Sequence, residues 1–140
     1  MGSGPIGVDA SIFIYFVERN PTYVDQVRPL FRSAESDELK LVTSALTLLE
    51  VLVVPLRAGN FLLAERYEAL LTRGRGLRMV EIDRFQLRAA AELRAVHRVR
   101  TPDALQLAAA LSAGCSAFVT NDRRLATPAG LRIVQLADHV

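Results

Sequence analysis

Cysteine occurs once in this 140-residue chain, at Cys115, so no internal disulfide can form and stability must come from packing. Cys115 follows Gly114 at the end of an apolar helical stretch, where a small buried thiol fits, and so little cysteine suits a reducing cytoplasm. Histidine is nearly as scarce. Two histidines and one cysteine are too few for an all-protein zinc site built on nitrogen and sulfur, so any metal must be held by oxygen. Lysine occurs only at Lys40, which leaves sixteen of the 17 basic residues as arginine. Arginine favours planar, bidentate contact with phosphate or carboxylate, although a GC-rich genome produces the same preference. The formal net charge of +2 does not mark the chain as a nucleic-acid binder by bulk charge alone. Apolar runs are broken by charge before they reach membrane-spanning length, and no basic segment precedes an apolar one at the start. Neither membrane insertion nor export is expected.

About half the residues are apolar, enough for one core and too few for two ordinary domains. One domain over residues 1–140 is expected, with 1–5 set aside as a candidate expression remnant or disordered stretch. Pro5 to Asp9 is a short β-branched approach to an acid, and the apolar Ile12 to Val17 suits a short strand running into a buried helix. Helical spacing covers residues 24–34, and Leu39 to Thr43 reads as a second strand. Thr43 or Ser44 can cap a helix through about Leu56, which ends around Pro55 with Gly59 just beyond. Another helix spans roughly Phe61 to Leu71. Arg73-Gly74-Arg75-Gly76 breaks the pattern before a strand over Leu77 to Ile82. Asp83 caps a helix to Val96, and Thr101-Pro102-Asp103 opens one to Ser112, with the Thr101 hydroxyl as cap and proline in the first helical position. Phe118 to Thr120 and Leu131 to Leu136 complete the strands. Strands alternating with helices predict an α/β fold: a mostly parallel, doubly wound sheet of four to five strands between two helical layers. Ligands of such sheets sit beyond the carboxyl ends of the strands.

Several acids stand alone among apolar neighbours. Asp9 is the only charge between Met1 and Val17, Glu50 between Leu41 and Leu56, and Asp103 between Thr101 and Asn121; Asp122 comes next. Unpaired buried carboxylates are costly, so they need a reason. Each has an ordinary one. Asp9 could cap a helix, Asp103 could favour a helix dipole, and Asp122 could serve a turn. Glu50 resists this reading, because Leu46, Leu48, Leu49, Val51, Leu52, Val53 and Val54 surround it on every face of a helix, which predicts a buried helix. All four acids map to plausible positions around one end of one sheet. Carboxylates brought together repel unless a cation compensates them, and hard Mg²⁺ or Mn²⁺ takes oxygen ligands while keeping several waters. Joint arrangement, rather than any single acid, points to metal-assisted phosphodiester chemistry.

On these residues the chain resembles the PIN-domain ribonucleases, in particular the VapC toxins of bacterial toxin–antitoxin pairs. Ile6-Gly7-Val8-Asp9-Ala10-Ser11 is similar to the opening strand of that family, with Ala10 where threonine is frequent. Leu48-Leu49-Glu50-Val51-Leu52, Thr101-Pro102-Asp103-Ala104-Leu105-Gln106 and Phe118-Val119-Thr120-Asn121-Asp122-Arg123-Arg124 resemble the later motifs, in order. The resemblance implies a three-layer αβα fold and Mg²⁺- or Mn²⁺-dependent endonucleolytic cleavage of RNA in the cytoplasm. It also implies a homodimer and inhibition by a small VapB-like antitoxin, through which alone operator DNA is bound. It makes Asp9 and Asp103 the main metal ligands, completed by Glu50 and Asp122 directly or through water. Ser11 and Thr120 would orient those ligands, and Arg123 and Arg124 would contact RNA phosphates.

Other residues attract plainer readings. His97 near a helix end, the Arg73 to Arg78 loop, and Tyr15 with Phe16 are read as structural, solvated and core or dimer positions respectively. Rival functions are weaker. A phosphoacceptor receiver wants paired acids after the first strand and a late lysine, and the only lysine is Lys40. A haloacid-dehalogenase-type phosphatase wants a second aspartate where Ser11 stands. A catalytically silent acidic-pocket binding module, or a PIN nuclease of RNA processing outside toxin–antitoxin systems, remain the alternatives.

Overall fold

A computed structural model describes residues 4–123, 125, 128 and 130–139. Its elements run β1 (Ile6–Val8), α1 (Ala10–Val17), α2 (Val24–Glu35), β2 (Leu41–Ser44), α3 (Leu46–Arg57) and α4 (Phe61–Arg73). They continue as β3 (Leu77–Val80), α5 (Arg84–Val96), α6 (Thr101–Ser112), β4 (Ala117–Thr120), β5 (Arg132–Gln135) and a final 3₁₀ turn, Leu136–His139. Every strand pairing is parallel, in the order β3-β2-β1-β4-β5. The expected doubly wound sheet therefore forms with five strands.

Side chains alternate across the strands and build two cores. Ile6, Val8, Leu41 and Val119 pack with Phe13, Val27, Phe31, Tyr67 and Leu71 of α1, α2 and α4. Val42 and Phe118 face the other way, onto Ala90, Ala104, Leu107 and Ala108 of α5 and α6. Period-2 strands sandwiched between helices leave no polar face, which is why β1, β2 and β4 are buried throughout. At Gly7 the second layer comes very close: a Cβ there would lie 2.6 Å from Phe118 Cδ1 and 2.9 Å from Ala110 Cβ. Glycine is what lets α6 approach β1.

Local chemistry sets several helix starts. Asp9, Asn60 and Asp83 accept backbone N–H groups at the starts of α1, α4 and α5. Ser44 Oγ accepts from the Leu46 N–H at 3.1 Å from one residue ahead of the capping position of α3, whereas the Thr43 hydroxyl turns inward to the Val8 carbonyl. Three expectations need correction. Ala45, with no side-chain bond to the helix, is the capping residue of α3 in place of Thr43 or Ser44. Thr101 is itself helical and caps nothing; Arg100 is the capping residue, and the Thr101 hydroxyl accepts from Arg94 at 2.9 Å. Most consequential, α3 is not buried all round. Thr47, Val51 and Pro55 are buried and Leu46, Leu48 and Leu52 half-buried against the cores, whereas Leu49 (61% exposed) and Val54 (66%) lie at the surface.

Candidate active site

The strand order reverses between β1 and β4, because β2 and β3 extend the sheet to one side and β5 to the other. A crevice opens at such a switch point, beyond the carboxyl ends of the two strands. Asp9 leaves β1 there, and Thr120-Asn121-Asp122 leaves β4 beside it. A pocket of about 390 Å³ occupies the crevice, lined by Asp9, Glu50, Asp103 and Asp122 together with Ser11, Tyr15, Gln106 and Asn121. Acids separated by more than a hundred residues thus become neighbours.

Asp9 is the best-held of the four. One carboxylate oxygen accepts from the Ser11 N–H, at 3.1 Å, and from the Ser11 hydroxyl; the other accepts from the Thr120 hydroxyl. Burial pushes its pKa above the ordinary aspartate value, and the Ser11 and Thr120 donors partly oppose that shift. Its capping role does not compete with a site role, because the cap uses only one oxygen. Thr120 is fully buried, and its oxygen also accepts the Asp122 N–H at 3.1 Å.

Glu50 reaches the pocket from an exposed position on α3. Its pKa is raised, first by partial burial and then by the negative charges of Asp9 and Asp103, while the Gln106 amide lowers it. The expectation of a helix buried on every side is corrected here: one face of α3, not the whole helix, is buried, and Glu50 lies off that face. Asp103 lies in the first turn of α6. Arg100, 63% exposed, pairs with both Asp103 and Asp122 at 3.6 Å, so a guanidinium partly compensates the outer half of the cluster.

The donor set is all oxygen, which suits a hard divalent cation. Among the described residues no three His, Cys, Asp or Glu side chains come together as a cage. An ion here would take one or two carboxylates directly and water for the rest, the usual habit of Mg²⁺.

A model of the PIN domain matches residues 6–131, which include every one of these acids. The chain belongs to the PIN domain family, a family of nucleases. No curated protein matches it. Solved structures share the fold of this PIN domain. FitAB bound to a DNA fragment has a TM-score of 0.71 at 17% identity, with 94% of each chain covered. DNA-bound VapBC from Salmonella typhimurium gives 0.66 at 22%, covering 95% of this chain and 98% of the other. The sarcin–ricin loop cleaving toxin VapC20 from Mycobacterium tuberculosis gives 0.64 at 19%, covering 81% and 86%.

Three pocket residues, and the arginine that pairs with two of its acids, escaped sequence reasoning as site residues. Tyr15 stacks on Tyr23 and its hydroxyl accepts from Asn121 at 3.2 Å, so it is a wall of the pocket as well as a packing residue. Asn121, Gln106 and Arg100 carried no isolated-charge signal; Gln106, as the one polar residue among Ala104 to Ala110, offered the only local hint. Of the two arginines expected at RNA, Arg123 pairs with Asp138 outside the pocket lining, and Arg124 falls outside the described residues. Arg75 is tied to Asp37 at 2.6 Å and His97 ends α5, both away from the pocket, while Phe16 stacks on Phe31. Cys115 is buried and its thiol is pushed up to about 11 by that burial. Among the described residues no helix is long and apolar enough to cross a membrane.

Proposed function

We propose that this PIN domain is a Mg²⁺- or Mn²⁺-dependent endoribonuclease, the toxin of a VapBC-type toxin–antitoxin pair, acting in the cytoplasm as a single-domain protomer. The supporting observation is one pocket, at the switch point of a parallel sheet, lined by four carboxylates. Asp9 and Asp103 would be the main ligands of the cation, with Glu50 and Asp122 completing the set directly or through water. When bound, the cation supplies an activated water and compensates negative charge growing on the phosphate. The chain's own residues do the rest. Ser11 and Thr120 fix the Asp9 carboxylate and favour its ionised form. Asp103 and Asp122 hold the outer rim, with Arg100 limiting their repulsion. Arg123 would meet RNA phosphates by exchanging Asp138, a cheap exchange for an exposed pair, and Arg124 would join it.

Partners follow from similar chemistry. One structural neighbour is a loop-cleaving toxin, and others are toxin–antitoxin complexes bound to DNA. A groove of about 890 Å³ between α1, α2 and α4 joins apolar Phe16, Val17, Leu63 and Leu70 to four arginines against two glutamates, Glu18 and Glu35, a net basic lining that suits an acidic amphipathic segment of the antitoxin. DNA would be reached only through that antitoxin. The exposed apolar Leu49, Val54, Leu56, Phe61 and Leu62 on α3 and α4 support a homodimer.

Purified protein with Mn²⁺ should cut structured RNAs at defined positions, mapped by sequencing fragment ends, and Asp9→Asn should not. Asp103→Asn should abolish both cleavage and growth inhibition while folding normally. Intact RNA across all substrates, with Asp9→Asn altering partner binding alone, would replace the nuclease with a silent binding module.

A further inference from the structure

The apolar run Ala104 to Ala110 of α6 is buried throughout, and Gln106 is the one polar residue in it. A buried amide must place two donors and an acceptor, and its orientation is otherwise free to flip. Here it is not free. Gln106 Oε1 accepts the Ser44 backbone N–H at 3.1 Å, a group that can only donate. Its Nε2 must then face Thr47, to whose hydroxyl it donates at 2.7 Å. Two hydroxyls continue the chain, and the Thr43 hydroxyl has a second, longer contact of 3.3 Å back to Gln106 Oε1. The Thr47 hydroxyl lies 2.7 Å from that of Thr43, which donates to the Val8 carbonyl at 2.8 Å. The relay thus runs from α6 through α3 and β2 to the residue that precedes Asp9.

Both ends of the amide's surroundings point to the acidic pocket. Gln106 lies three residues after Asp103 on α6, and Thr47 three residues before Glu50 on α3, so each pair shares a helix face. Gln106 and Glu50 line the same pocket, and Thr47 takes only one of the two amide N–H groups of Gln106, which leaves the other for the Glu50 carboxylate. Thr47 is fully buried and Gln106 nearly so, whereas Glu50 is exposed. A long, exposed glutamate needs such a rigid neighbour to hold one rotamer.

We propose that Gln106 is a positioning residue. Locked by Ser44 and Thr47, its amide holds the Glu50 carboxylate over the pocket beside Asp103, and so sets how Glu50 contributes to cation binding. This rests on the metal-site reading above. In this role Gln106 acts through Glu50 and is not itself a ligand of the cation.

A double-mutant cycle tests it, with Mn²⁺ binding measured by electron paramagnetic resonance on wild type, Gln106→Met, Glu50→Gln and the double variant. Melting temperature and RNA kinetics accompany each. Gln106→Met should weaken Mn²⁺ binding about tenfold or more, as loss of a ligand-orienting partner does. It should lower kcat with KM for RNA unchanged, and it should add nothing once Glu50 is glutamine. Equal weakening in both Glu50 backgrounds would show a general structural role and overturn the proposal, as would unchanged binding in a folded Gln106→Met protein. If Gln106→Met does not fold, Thr47→Val, which keeps the amide and removes its acceptor, takes its place. It must show the same dependence on Glu50, and additivity would overturn the proposal. Failure of the underlying reading looks different: wild type would bind no Mn²⁺, or Glu50→Gln would bind it as wild type does, and either result removes the proposal as well.

Discussion

Replacing Thr120 with valine keeps the shape of a fully buried side chain and removes one hydroxyl with two partners. That hydroxyl donates to Asp9, tying the carboxyl end of β4 to that of β1, and accepts the Asp122 N–H. A hydrogen bond to a charged group contributes about 1.5–3 kcal/mol, so cation affinity should fall by roughly ten- to a hundredfold. Loss of the bond from the Asp122 N–H should cost about 0.5–1.5 kcal/mol of stability, a few degrees in Tm. The pH dependence has a definite sign. The folded pKa of Asp9 lies above its ordinary value of 3.8, so the stability contributed by its protonated form is complete below 3.8 and is lost as pH rises through the folded pKa. Thr120 is one of the groups that lower that pKa, so valine should raise it further. Cation binding needs the ionised carboxylate; the acid limb of the cleavage profile should therefore move to higher pH, and Thr120→Ser should restore it. Initial rates on a fluorogenic RNA with Mn²⁺, taken across pH for the three proteins, make the comparison. An unmoved acid limb together with unchanged Mn²⁺ affinity in Thr120→Val would refute the reasoning.

Three further outcomes are expected. Asp9→Asn should abolish cleavage yet raise Tm at neutral pH, because it removes a carboxylate whose ionisation opposes folding, and the gain should vanish as pH falls toward 4; thermal melts across pH check this. Gly7→Ala should cost about 1–3 kcal/mol by forcing Phe118 and Ala110 aside, read by urea denaturation, and wild-type stability would show that α6 moves away freely. Leu49→Glu combined with Val54→Glu should leave the fold intact and give a monomer by sedimentation equilibrium, if the exposed face of α3 is where two copies meet.

Alternating patterns made the sheet and its parallel sense readable, since a chain buried on both faces of its strands must cross over through helices. Asp83 announced α5 because capping is local, and Thr101 misled because its hydroxyl had a competitor, Arg94, seven residues earlier and a helix away. The outer face of α3 was illegible for another reason. A helix apolar on every side carries no periodic signal about which side is covered, and only its neighbours reveal that Leu49 and Val54 are left out. Arg100 looked like one of many arginines until Asp103 and Asp122 closed on it.

By itself the amino-acid order singled out four carboxylates, because a lone charge in an apolar segment is expensive wherever the chain goes, and Asp9, Glu50, Asp103 and Asp122 all line one pocket of the folded chain. Only the tertiary structure decided how they are held. The Thr120 hydroxyl on Asp9, the Gln106 amide beside Thr47 and the guanidinium across the rim are contacts whose partners come from different elements, two of them joining residues 111 and 59 positions apart. Burial cost can be read along a sequence; the hydrogen bonds that offset it depend on which strands and helices the sheet order brings together.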